Sequence, residues 1–153
     1  MAARDEFHQR VTKIQALLDK AAKVEDLELQ GELARYIAVR TSGLIETTVR
    51  ETLENYVQKR AAPEVQRFVS TRLRRFRNPD LKDILELAAE FSDSLQDALR
   101  DLPEEFREAV TSTVGLRNNI AHGGDTSISL GKIRDRFQNV RRFLEALREY
   151  LNN

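Results

Sequence analysis

Residues 117 to 123 read Arg117-Asn118-Asn119-Ile120-Ala121-His122-Gly123, which gathers a guanidinium, two amides and an imidazole into less than two helical turns. These groups suit a phosphodiester. Imidazole moves protons near neutral pH, guanidinium neutralises charge building on phosphorus, and an amide orients either one. The remainder of the chain offers little competing chemistry: no cysteine, one other histidine (His8), no glycine-rich phosphate loop and no closely spaced histidine pair to hold a metal. Neither a metal nor a cofactor is implied, and His122 is the natural proton carrier.

On an α-helix the four-residue spacing puts Asn118 and His122 nearly above one another, with Arg117 turned aside. Arginine and histidine can then bracket one group from two sides, while Ile120 and Ala121 anchor the helix. Gly123-Gly124 is a stop signal, so His122 belongs to the last turn, where the negative end of the helix dipole favours a cation. The structural alternatives are a salt bridge for Arg117 and a C-cap bond for His122. His8 reads as structural or exposed.

The elements that must position this heptad are helical throughout. Phe7, Val11, Ile14, Leu17 with Leu18, Ala21 and Val24 recur at three and four residues and define a first amphipathic helix. A second runs from about 29 to 60 on Leu33, Ile37, Leu44, Ile45, Val49, Leu53, Tyr56 and Val57, with Gly43 inside it marking a close approach or a bend. Ala62-Pro63 starts a third, carried by Val65, Phe68, Val69, Leu73 and Phe76. Asn78-Pro79-Asp80 stops it, and Asp80 caps the next, on Leu81, Ile84, Leu85, Ala88 and Phe91. A short helical turn follows Ser92-Asp93-Ser94. Pro103 then opens the segment 104–122, and a last helix over 127–151 lines up Ile133, Phe137, Val140, Phe143 with Leu144, Leu147 and Leu151. No stretch alternates with period two and no internal repeat appears. The expectation is an all-α bundle of long antiparallel helices in one domain, 1–153, with Tyr36, Phe68 and Phe76 in or near its core.

At 153 residues, with 33% charged and 41% hydrophobic side chains, the chain is long enough for one core, and reads as globular. No apolar run approaches the ~20 residues that cross a bilayer, and the start Met1-Ala2-Ala3-Arg4-Asp5-Glu6 lacks a signal-peptide core, so a cytoplasmic protein without a membrane partner is expected. The net charge of zero conceals segregation. Between 60 and 77 six arginines stand against Glu64 alone; between 80 and 108 ten acidic residues face Lys82, Arg100 and Arg107; and the tail is basic again. With 19 arginines to 6 lysines, the planar fork suited to bidentate contact with phosphate or carboxylate predominates. The clusters Arg72, Arg74, Arg75, Arg77 and Arg134, Arg141, Arg142 are the candidate contacts for a phosphate backbone, which the resemblance described next makes that of RNA. Solvated helix faces paired with glutamates are the alternative.

An Arg-Asn-x-x-x-His string near the end of an α-helical domain of this size, followed by one last helix, resembles the HEPN superfamily, in particular its ribonuclease L-like and toxin-like members. The resemblance implies metal-independent cleavage of single-stranded RNA, with two copies of the motif brought together in a homodimer. It assigns Arg117 and His122 to the catalytic positions and Asn118 to the polar position beside the arginine. The stretch from Tyr36 to Arg50 is similar to the second family helix, whose acidic residue faces the motif; Glu46 is the matching position, although a surface pair with Arg50 explains both residues. A toxin or defence role, with an antitoxin or immunity protein as partner, is implied in the same way. The alternative within the resemblance is a non-catalytic RNA-binding or protein-interaction module.

The chemistry argues for the dimer as well. Attack of a 2'-hydroxyl on its neighbouring phosphate needs one group to take a proton and another to deliver one, and the motif supplies one histidine per chain. A two-fold axis through the motif helix supplies both.

Overall fold

The computed structural model describes residues 2–124 and 126–152, with side chains from Glu6 onward. Among them run seven helices and no strand: α1 (Ala2–Ala22), α2 (Leu27–Gln58), α3 (Pro63–Leu73), α4 (Leu81–Phe91), α5 (Asp93–Arg100), α6 (Glu104–Ala121) and α7 (Leu130–Asn152). The expected all-α architecture is the observed one. No helix among the described residues is long and apolar enough to cross a membrane.

The boundaries follow local chemistry. Asp26 accepts from the Glu28 and Leu29 N–H groups at the start of α2. Asp80 and Asp83 form a reciprocal capping box at α4, each carboxylate accepting the other's N–H. Ser92 accepts from Leu95 N–H at α5, and Pro103 precedes α6. The last helix begins at Leu130 rather than 127, because Ser129 accepts the Lys132 N–H and so holds the capping position.

Helix α2 is the axis of the bundle, packing against α1, α3, α6 and α7. That position explains its composition. Besides Ile37, Leu44, Ile45, Val49, Leu53 and Val57 it buries Ala34, Ala38, Thr41, Ser42, Thr48 and Thr52, small side chains that let several helices approach. Thr41 and Thr52 return their hydroxyl protons to the carbonyls of Ile37 and Thr48 four residues back, so their burial leaves those donors satisfied. Gly43 serves neither purpose foreseen for it: the helix continues through it, and its Cα faces open space.

Helix α7 supplies the opposing wall, with Ile133, Phe137, Val140, Phe143, Leu144, Leu147 and Leu151 all buried as the periodicity requires. Burying each contributes about 1.5–3 kcal/mol relative to exposure. Helix α1 adds Phe7, Val11, Ile14, Leu18 and Ala21, and is clamped to α2 by a two-point Arg10–Glu51 pair at 2.6 and 2.9 Å. That hydrogen bond raises the Arg10 pKa above its ordinary value despite partial burial, so the clamp stays ionised.

The third helix departs from expectation. Leu73 and the following Phe76 are buried, but Phe68 is 76% exposed and Val65 49%. Tyr36, also expected at the core, is 48% exposed on α2. The reason is geometric: α3 is held chiefly by α2 alone, so only one edge of its apolar surface finds a partner.

Candidate active site at the C-terminal end of α6

Helix α6 is fixed in the bundle by Ala109, Val110, Thr113, Val114 and Leu116, all buried, with Ile120 half-buried one turn on. Ala121, expected to anchor the helix, is instead exposed. Arg117 and Asn118 are half-buried, and Arg117 Nη1 donates to Asn118 Oδ1 at 3.4 Å. His122 caps the helix and is exposed.

The histidine backbone is held by a closed set of bonds. His122 N–H donates to the Asn118 carbonyl (3.1 Å), Gly123 N–H to Ile120 (3.1 Å) and Gly124 N–H to Asn119 (2.8 Å). The last two form a Schellman motif, which requires a left-handed residue after the cap. Gly123 supplies it with φ 77°. Gly124 is needed for a different reason: a Cβ there would lie 2.8 Å from the Asn119 carbonyl oxygen, the same atom its N–H bonds. Neither glycine can take a side chain without disturbing the turn that carries His122.

A residue the motif did not disclose completes this turn. Arg35 on α2 donates from Nη2 to the Gly124 carbonyl at 3.4 Å, while Nη1 lies 3.4 Å from Glu32. Its Nε is buried without a partner among the described residues. No sequence signal marks Arg35, which is 89 residues from the carbonyl it meets.

Glu46 bonds the loop between α3 and α4. Its carboxylate accepts the Asn78 N–H at 2.8 Å and lies 3.7 Å from Arg50, the pair that spacing anticipated. Asn78 has φ 46°, so Glu46 steadies a strained link between α3 and α4. Eleven residues separate Arg35 from Glu46, which puts them within about 20° on one side of α2 and about 16 Å apart along it. Glu46 and Arg35 therefore tether two loops on the same face, and it is Arg35 that reaches the loop of the motif.

The basic candidates divide. Arg74, Arg75 and Arg77 are exposed and pair with no acidic side chain among the described residues. Arg72 is paired with Glu90 at 3.1 Å. On α7, Arg141 donates to Glu145 at 2.8 Å, Arg142 sits over the Phe106 ring at 6.0 Å, and Arg134 is half-buried with its Nε enclosed. Among the described residues no group of three or more His, Asp or Glu side chains is placed to hold a metal ion.

The described residues form an all-α bundle with the arginine and histidine at the end of its penultimate helix. The RiboL-PSP-HEPN family model matches residues 5–153, and the chain belongs to that family. No curated protein and no solved structure matches the chain.

Proposed function

We propose that this HEPN protein is a metal-independent endoribonuclease that cleaves single-stranded RNA at a site shared by two copies. The observation that carries the reading is the end of α6: an exposed imidazole on a turn fixed by two indispensable glycines, beside a half-buried Arg117–Asn118 pair. The turn fixes the backbone of a solvent-facing histidine next to an arginine, which leaves the imidazole free to meet a substrate proton.

In the proposed reaction the 2'-hydroxyl oxygen attacks the adjacent phosphorus as one His122 removes its proton. Arg117 neutralises the charge on the phosphoryl oxygens. The bond from phosphorus to the 5'-oxygen breaks, and the second His122 delivers a proton to that oxygen, leaving a 2',3'-cyclic phosphate and a 5'-hydroxyl. The imidazole has no hydrogen-bond partner among the described residues, which suits a group oriented by substrate or by a second copy. Helix α2 supports the dimer further. Leu29 and Tyr36 are exposed seven residues apart, with Val39 beside them, on the helix whose Arg35 bonds the motif loop. A toxin or defence role, restrained by an antitoxin or immunity protein, rests on analogy with the fold.

The same unpartnered imidazole fits the alternative of a non-catalytic RNA-binding or protein-interaction module. Incubating labelled RNA in EDTA with wild type and with His122→Ala separates the two. The enzyme reading expects cleavage with a bell-shaped pH profile in the wild type and none in the variant; the module reading expects intact RNA with both. A strictly monomeric protein cleaving at full rate, by sedimentation, would exclude the shared site.

A further inference from the structure

The surface of α3 combines two features that the site does not use. Val65, Phe68 and Arg72, spaced three and four residues, share its outer face, and Phe68 is 76% exposed. Arg67 precedes this aromatic on α3 and Arg74, Arg75 and Arg77 follow in the turn after its end at Leu73, all exposed and none paired with an acidic side chain among the described residues. One phenylalanine and one valine are a small apolar patch for a protein interface of ordinary size, whereas four arginines without acidic partners are a concentrated positive charge. A single nucleic-acid strand satisfies both, since its phosphates take the arginines and its unpaired bases take the ring.

We infer that α3 is a docking surface for the single-stranded RNA that flanks the cut, with Phe68 as a platform on which one base stacks and Arg67, Arg74, Arg75 and Arg77 as its phosphate contacts. Placement supports the inference. The C-terminal end of α3 leads to Asn78, tied to Glu46, and the motif turn is tied to Arg35 on the same side of α2, about 16 Å along the helix. That spacing relates the motif turn to the end of α3, and Phe68 lies about 8 Å back along α3 from its last residue, Leu73. The inference rests on the reading of this chain as a protein that engages RNA, and not on whether His122 cleaves it.

The test uses an oligouridylate with methylated 2'-hydroxyls, which binds without being cut, and fluorescence anisotropy with the full chain. Phe68→Ala should weaken binding about tenfold, Phe68→Leu should weaken it as much because it keeps the apolar bulk without the π-face, and Phe68→Trp should restore it. A duplex of the same length should bind with no dependence on Phe68. Because the side chain is so exposed, thermal unfolding should be unchanged in all three variants. Wild-type affinity in Phe68→Ala or in Phe68→Leu would overturn the inference, as would a wild type that does not bind the strand. A change in sedimenting mass on Phe68→Ala, with RNA affinity retained, would make α3 a protein interface instead. The two readings fail separately: His122-dependent cleavage with Phe68-independent binding removes only the platform, and Phe68-dependent binding without cleavage removes only the catalysis.

Discussion

The end of α6 and the surface of α3 both present polar groups to solvent, yet they are built in opposite ways. At α6 three successive carbonyls, a left-handed glycine, a second glycine with no room for a Cβ and a guanidinium from α2 fix the backbone of the turn that carries one exposed histidine. Along α3 and the turn after it, Arg67, Arg74, Arg75 and Arg77 are exposed with no acidic partner among the described residues, on a segment that leans on the bundle chiefly through α2. Bond breaking needs atoms held to fractions of an ångström, whereas long-range attraction to phosphate tolerates slack. The contrast in construction is therefore a contrast in the work each region suits.

That contrast is broken most directly at His122. His122→Ala should reduce cleavage by about 10²–10⁴-fold, the range of general acid–base catalysis, while RNA binding stays within about twofold. Cleavage assays and anisotropy on the same preparation check it, and a joint loss of both would erase the division between chemistry and binding.

The mount comes next. Gly124→Ala brings a methyl against the Asn119 carbonyl, so the turn must shift; the cost should exceed about 1 kcal/mol, lowering Tm by roughly 2–4 °C for each kcal/mol. Cleavage should fall more than stability accounts for at a temperature where the variant is folded. An unchanged rate would mean that the histidine works without a fixed turn.

On the other side of the comparison, replacing Arg74 and Arg75 together by alanine should weaken RNA binding without moving the cut site. The salt dependence should become shallower by about 0.7 in log–log slope for each phosphate that the protein no longer neutralises. Titrations at several salt concentrations read this out. A smaller effect is expected for Arg35→Gln, which loosens the tether at Gly124: a hydrogen bond of about 0.5–1.5 kcal/mol corresponds to roughly a two- to tenfold fall in cleavage rate with binding unchanged.

The smallest effect sharpens the position of Glu46. Glu46→Ala removes the acceptor for Asn78 N–H and should cost about 0.5–1.5 kcal/mol in thermal or urea unfolding, leaving the cleavage rate near wild type. A large catalytic loss in a folded Glu46→Ala protein would give this carboxylate the role in the motif that its sequence position suggested.

Much of the molecule was open to reading from the sequence, and the exceptions share a cause. Periodicity in α7 named all seven of its large buried side chains, because a helix that faces one core from one side repeats its pattern without interruption. Asp80, Pro103 and Gly123-Gly124 marked their helix ends because caps depend on neighbours a few residues away. The string from Arg117 to His122 was likewise local, and needed only the spacing of one helix. What depended on other helices was hidden. Phe68 and Tyr36 carry the residue type of a core but lie where no second helix covers them, and Gly43 occupies a crowded helix yet faces open space. Thr41, Thr48 and Thr52 are buried because α2 is surrounded, which no pattern within α2 records. Arg35 and Glu46 received their tasks from loops 89 and 32 residues away. Sequence determined the helices, their ends and the chemical groups of the motif, since these rest on interactions within a few residues. Only the tertiary structure decided which arginine steadies the histidine and which aromatic remains free, since those follow from how the helices cover one another.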